Sequence, residues 1–181
     1  MGNYGEVSQQ SYRNALEYLD LVKEANQPAP DKIIYVANEL TRGVYNEVKY
    51  LDDIVSENSD QEISFSVNSV VKRYSFTDPV KALSELLNIL GKVQESMDNI
   101  SMVKLELMDL KGQKINEGDR SKVNTKITNR ITYVSQCFFH VKSKFDYIKD
   151  VIETIRSINT TSRSYKYSNR EISGMASQAG S

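Results

Sequence analysis

The stretch that decides the fold is residues 123–155, VNTKITNRITYVSQCFFHVKSKFDYIKDVIETI. From Ile127 onward its apolar residues recur at steps of four and three, which is typical of a helix that buries a narrow seam. Such a seam stays aligned with a partner helix only when the two helices supercoil left-handed. The seam residues are Ile127, Ile131, Val134, Phe138, Val141, Phe145, Ile148, Ile152 and Ile155.

A second long helix precedes this one. Thr77-Asp78-Pro79 is a strong start signal, because the aspartate caps the helix and proline suits its first position. An apolar stripe then predicts helix to about Lys114, followed by a turn over 115–119 in which Gly118 supplies permissive backbone. Two long helices joined by so short a turn must lie antiparallel, as a helical hairpin.

The N-terminal third predicts two further helices behind a short arm, residues 1–7. The first begins at Ser8 or Ser11 and ends near Glu24, and residues 26–30 then break the chain. The second runs from Pro30 to about Val55, with Gly43 inside it. A glycine in a helix interior often marks a close approach between helices.

Residues 60–76 are ambiguous between helix and β-hairpin. Ile63, Phe65 and Val67 alternate with serines, which favours a strand. Val67, Val70 and Tyr74 also fit one face of a helix, and a strand here has no partner except its own hairpin. We therefore predict a short helix.

The predicted fold is all-α: an elongated helical bundle built on a long antiparallel coiled-coil-like hairpin, with short N-terminal helices and an extended C-terminal tail. Three regions follow: N-terminal helices over 1–76, the hairpin over 77–158, and a polar basic tail over 159–181. The tail is rich in Ser, Thr and Gly and lacks an apolar period, so we expect it to be disordered alone. A second stripe, Tyr147, Val151 and Ile158, predicts a third body against the last helix.

The charge is divided unevenly along the chain. The net charge is −1 overall, yet residues 1–60 carry 11 acidic and 5 basic groups, whereas residues 111–181 carry 6 and 13. Such asymmetry suggests an acidic partner for the C-terminal third, or the acidic part of a neighbouring copy. A solvated charged surface is the plainer interpretation.

Residues that carry catalysis are scarce. Cys137 and His140 are the single cysteine and histidine. Cys137 lies in an apolar helical run, so a packed thiol is more plausible than a nucleophile. Zinc, di-iron and phosphate-loop patterns do not occur. We therefore predict no enzyme, no catalytic residues, no cofactor and no metal site, and, from the lack of a leader or an apolar span, a protein that is cytoplasmic when synthesised and makes no membrane contact.

Basic residues form two groups that predict partner binding. Cations interleaved with aromatics can bind phosphates and stack bases, so nucleic acid is one partner to consider beside protein. The overall pI near 5.9 argues against a dedicated nucleic-acid binder. The first group lies around the hairpin turn and the second in the tail: Lys111, Lys114, Arg120, Lys122, Lys126 and Arg130, and Arg163, Tyr165, Lys166, Tyr167 and Arg170.

These features favour a non-enzymatic structural or assembly subunit of a larger multi-protein complex, with protein partners and homo-oligomerisation expected. The richness in Asn, Ser, Lys, Ile and Tyr resembles AT-rich bacterial or phage usage, and small helical proteins with extended tails are common among phage head–tail connector and neck proteins. Incorporation into a virion is therefore one expectation. The alternative is a nucleic-acid-associated accessory factor of the recombination or replication mediator type, acting through the two basic groups.

Overall fold

A computed structural model describes residues 4–55, 66–113 and 115–172 of the chain, with side chains to residue 158. Every element of regular structure in these ranges is a helix, so the predicted all-α class is confirmed. The five helices are α1 (Tyr4–Glu24), α2 (Pro30–Val55), α3 (Val67–Tyr74), α4 (Pro79–Lys111) and α5 (Glu117–Ile172).

The seam of α5 consists of two alternating rows of apolar residues, and the two rows are buried to different extents. Ile127, Val134, Val141, Ile148 and Ile155 are all buried. Of the alternate positions, Ile152 is buried, whereas Ile131, Phe138 and Phe145 are partly buried and pack against the core. One row of the predicted seam is therefore buried throughout, whereas most of the other row is only partly buried.

Helices α4 and α5 are compatible with the predicted hairpin. Residues 112–116 join them, and Ile115 in this turn is itself buried. Ile100 and Ser101 of α4 lie beside Phe138 of α5, while Lys111 lies beside Thr128. Because later α4 residues meet earlier α5 residues, the helices run antiparallel.

Among the described helices, α2 is the further element that packs against α5. Helix α2 packs against α1, α4 and α5. On the α5 side, Arg130 donates to Asn38 at 3.2 Å and His140 Nε2 lies 2.7 Å from the Asp52 carboxylate. Of the predicted second stripe, Tyr147 and Val151 are partly buried, whereas Ile158 is exposed.

Several predicted helix ends are wrong. Helix α5 continues past residue 158 to Ile172, because the chain after Gly118 contains no glycine or proline before Gly174 to end it. Residues 159–172 are therefore helical, and the predicted boundary at 158 falls inside α5. Helix α1 begins at Tyr4, earlier than the predicted arm allows.

The turn of the hairpin also lies earlier than predicted. Helix α4 ends at Lys111, where the Gly112 N–H donates to the Asp109 carbonyl at 3.1 Å. Gly118 lies in the first turn of α5, so it does not form the bend. The predicted start of α4 is confirmed, since Asp78 accepts a hydrogen bond from the Lys81 N–H at 3.1 Å.

The ambiguous segment contains a helix. Ser66 caps α3 by accepting from the Ser69 N–H at 3.1 Å, and Val67 and Val70 are buried against the core. The part of the segment over residues 66–76 therefore contains a helix, as the spacing of Val67 and Val70 predicted, and not a strand. Ile63, Phe65 and the rest of 56–65 lie outside the described residues.

Candidate interaction surface

Five of the six predicted basic residues around the turn between α4 and α5 lie in the described part of the chain, and all five are exposed. Lys111 lies at the end of α4, and Arg120, Lys122, Lys126 and Arg130 follow along the first turns of α5. Lys122, Lys126 and Arg130 are spaced four apart, so they form one row along the helix. Lys114 lies outside the described residues.

The predicted basic and aromatic residues of the tail belong to α5. The backbone of α5 is helical across this part of the chain, and its side chains lie outside the described atoms. The residues concerned are Arg163, Tyr165, Lys166, Tyr167 and Arg170. Their role in partner binding stays a prediction.

Part of the cationic row is engaged by α2. Arg130 donates through Nε to Asn38, and both residues line a small cleft of about 120 Å³ together with Lys126. An arginine held in this way has fewer donors left for a phosphate than an unengaged one. Arg130 therefore contributes to helix packing as well as to surface charge.

A groove along the outside of α4 and α5 exposes large apolar side chains. Leu105 and Met108 of α4 are 62% and 53% exposed, and Phe139 of α5 is 67% exposed. Two adjoining cavities of about 450 and 500 Å³ share Lys104 and Met108, so they form one continuous surface, here called the outer groove. Contiguous exposed apolar surface on a folded chain marks a site of interaction.

The rim of the outer groove is cationic. Lys104 and Lys111 line it from α4, and the α5 wall adds hydroxyls of Thr128, Thr132 and Ser135. No acidic residue is among the described residues that line it. An apolar floor between two lysines suits an apolar ligand surface flanked by carboxylates.

The sequence contains a signal for this groove that the seam analysis passed over. Leu105 and Met108 lie off the apolar stripe of α4, and Phe139 stands next to the seam residue Phe138. A single exposed apolar residue on a helix is ordinary, so the informative feature is a contiguous group of them outside the buried face. Which of them share one surface depends on the hairpin register, which the sequence does not specify.

A second exposed surface joins α1 and α2. The rings of Tyr18 and Tyr35 pack edge to face with centroids 4.8 Å apart, and Leu21 beside them is 55% exposed. Carboxylates flank the rings: burial first, and then the nearby Glu39, raise the pKa of Tyr35. We call this surface the tyrosine ridge, formed by Glu17, Tyr18, Leu21, Tyr35 and Glu39.

A buried polar cluster lies where α1, α2 and α4 meet. The Tyr12 hydroxyl donates to Glu47 Oε2 at 2.5 Å, and the Asn99 amide donates to Glu47 Oε1 at 3.2 Å. Ser8 donates to the Gly43 carbonyl at 2.7 Å. Glu47 is only 8% exposed, so its charge is taken out of water and met by protein donors.

Gly43 makes this cluster possible. A side-chain carbon added at Gly43 would overlap the Tyr12 ring, so only glycine lets that ring lie flat on α2. The close approach predicted from Gly43 is therefore confirmed. The partner, Tyr12, could not be named from the sequence, because it belongs to a helix whose register on α2 no local pattern gives.

Burial governs the protonation of the cluster. It raises the pKa of the Glu47 carboxyl, against the opposing effect of hydrogen bonds from Tyr12, Ser96 and Asn99. It also raises the pKa of Tyr12, and the neighbouring Glu47 raises it further. The phenol therefore stays protonated near neutral pH and keeps donating to the carboxylate. A polar cleft of about 380 Å³ borders the cluster and is lined also by Glu6, Lys92 and Glu95.

Cys137 and His140 occupy different environments. Cys137 is buried, and burial raises the pKa of its thiol against the lowering effect of a hydrogen bond with Tyr133. His140 faces away to Asp52 on α2. The geometry fits a packed thiol and an interhelical histidine–aspartate pair, because neither residue orients the other.

Two searches concern the described part of the chain alone. Within residues 4–55, 66–113 and 115–172, no group of three or more His, Cys, Asp or Glu side chains is placed to hold a metal ion. Across the same ranges, no helix combines the length and the apolar character needed to cross a bilayer.

Compared with protein-family models, curated proteins and solved structures, the chain matches none of them.

Proposed function

We propose that this chain is a non-enzymatic assembly subunit that binds a protein partner through the outer groove. The observation that carries the proposal is the exposure of Leu105, Met108 and Phe139 on one continuous surface. Burying three large apolar side chains at an interface is worth several kcal/mol before the costs of association. Scattered apolar residues would not support the same conclusion.

The scaffold beneath the groove suits a binding role. The groove walls are two long helices that are held in the core by buried residues outside the groove, such as Leu107 and Ile127. A preorganised surface pays less ordering entropy on binding than a flexible one. The lysines on the rim add selection for a partner with acidic flanks.

A virion component of head–tail connector or neck type is the setting that the composition favours. Long helices and a basic C-terminal segment, residues 159–181, are the features that support it. This setting requires several copies or several proteins in one complex, and a groove-bearing subunit supplies a contact for either.

The test is affinity capture of bound protein from the source cell by the full chain and its variants. Leu105→Glu with Met108→Glu places two carboxylates in the groove, and we expect the amount of captured partner to fall at least about tenfold. Leu87→Glu is the matched control, because Leu87 is exposed on the same helix outside the groove. Equal capture by the groove variant and the control would reject the proposal.

Nucleic-acid association is the second candidate, and the exposed row of Lys122, Lys126 and Arg130 favours it. Binding through such a row would weaken steeply with salt, because each neutralised phosphate releases a counterion. Titration of single- and double-stranded DNA at about 50 and 200 mM salt tests it. Lys122→Glu with Lys126→Glu should abolish any binding seen, and absence of binding at the lower salt would remove this candidate.

A further inference from the structure

The outer groove and α1 carry matching patterns of opposite charge. On α4, Lys104, Met108 and Lys111 stand at positions i, i+4 and i+7, and all three are exposed. On α1, Glu17, Leu21 and Glu24 stand at the same positions and are also exposed. Each triplet places an apolar residue between two like charges that lie about 10 Å apart along a helix.

The basic residue that lies within the acidic triplet's own stretch of α1 is paired with another helix. Lys23 is the single basic residue between Glu17 and Glu24, and its ammonium lies 3.1 Å from Glu106 on α4. Asp20, also exposed, adds to the negative charge of the same turns. On α2, Arg42 Nη1 lies 3.9 Å from Glu39 Oε1, so the charge of Glu39 is partly compensated. The carboxylates of α1 are then the acidic side of the tyrosine ridge.

We infer that the outer groove receives α1 of a second copy of this chain. Leu21 lies on Met108, while Glu17 and Glu24 pair with Lys104 and Lys111 in either helix direction. This inference rests on the proposed function, since it names the partner of the same groove. Charge complementarity favours this occupant over an identical groove, whose lysines would face lysines.

The contact joins two different surfaces, because the two triplets lie on different helices and share no residue. Every copy then offers one unused groove and one unused α1 surface, so copies add head to tail into a ring or an open stack. The acidic N-terminal part of one copy thereby meets the lysines on the rim of the next copy's outer groove. A two-fold dimer, in which the groove of each copy holds α1 of the other, is the smallest closed form of this arrangement.

Charge exchange between the two triplets tests the contact with the full chain. Sedimentation velocity from about 5 to 200 μM should show association of the wild type that weakens between 50 and 500 mM salt. Lys104→Glu with Lys111→Glu, or Glu17→Lys with Glu24→Lys, should each raise the dissociation constant at least about tenfold. Mixing the two variants, or combining all four substitutions in one chain, should restore association.

Lys142→Glu with Lys149→Glu is the control, because it reverses two exposed lysines that are also seven residues apart but lie outside the groove, and it should leave association unchanged. Far-ultraviolet circular dichroism checks that each variant remains helical, and restoration in the mixture itself requires two folded chains.

A wild type that stays monomeric throughout the concentration range would overturn the inference, as would association that survives in both reversed variants. Groove-dependent capture of a different protein, with no self-association, would also overturn it while leaving the proposed function standing. If the chain neither associates with itself nor captures another protein through the groove, the inference and the proposed function are both rejected.

Discussion

The cluster at Glu47 and the outer groove are opposite in burial: the cluster buries a charged group, whereas the groove exposes apolar groups. The first buries a carboxylate among three helices and gives it donors from Tyr12 and Asn99. The second leaves Leu105 and Met108 in water on the surface of one helix pair. A buried polar group is costly unless it is hydrogen-bonded, whereas an exposed apolar group gains nothing from folding.

This difference distinguishes residues that stabilise the fold of one chain from residues that are available to bind a partner. Among the described residues, no buried side-chain nitrogen or oxygen lacks a hydrogen-bond partner, so the cluster is complete within one chain. The groove is incomplete within the described part of the chain, because none of those residues covers Leu105, Met108 or Phe139. Changes to the first should alter the free energy of unfolding, and changes to the second should alter binding.

The largest effect is expected from Gly43→Ala. The added methyl group would overlap the Tyr12 ring, which must then leave Glu47 or push α1 away from α2. Overpacking of this kind costs about 2–3 kcal/mol of unfolding free energy, measurable by urea denaturation.

Gly91→Ala is the control for that substitution. Gly91 is exposed within α4, and an added carbon there meets nothing within 4 Å. Alanine should therefore stabilise the chain by about 0.5–1 kcal/mol through its helix propensity. Equal destabilisation by both substitutions would show that Gly43 has no special packing role.

A smaller loss is expected from Tyr12→Phe. The ring still fills its place on Gly43, but Glu47 loses the donor to Oε2. Leaving a buried carboxylate one hydrogen bond short should cost about 1–2 kcal/mol in the same denaturation assay. Tyr45→Phe, at a half-exposed tyrosine on α2, should change stability by less than about 0.5 kcal/mol.

Glu47→Gln should change the pH dependence of stability. The pKa of Glu47 is raised above its ordinary 4.5, so the folded chain binds this proton more tightly than the unfolded chain does. Unfolding free energy contributed by this group is therefore fully present below pH 4.5 and is lost as pH rises through the folded-state pKa.

The glutamine variant lacks this titration. Its stability relative to the wild type should accordingly rise between pH 4 and pH 7, as followed by urea denaturation at the two pH values. A relative stability that falls over that interval would mean that the folded state favours the carboxylate, and the account of Glu47 would be wrong.

The sequence predicted those parts of the fold that depend on local pattern. Asp78-Pro79 located the start of α4, and the seam of α5 identified Val134, Val141 and Ile148 as core. Both signals act within one helix, where spacing alone determines which residues share a face. The end of α5 was missed, because the loss of an apolar period was taken as the loss of the helix.

The exposed surfaces could not be predicted from the sequence, because they depend on how the helices are offset against one another. Lys104, Leu105 and Phe139 share a groove only because α4 meets α5 at one particular offset. Tyr12 and Glu47 meet only because α1 packs on α2 at Gly43. Of the two lysines that line the groove, Lys111 belongs to the predicted basic group and Lys104 does not, and the role of that group in partner binding stays a prediction.

The most direct measurement of the contrast is the unfolding free energy of the Leu105→Glu, Met108→Glu double variant at a concentration where the chain is monomeric. If these side chains serve binding alone, the variant should unfold within about 0.5 kcal/mol of the wild type. A loss above about 2 kcal/mol would contradict the account, because it would place Leu105 and Met108 inside the fold of a single chain.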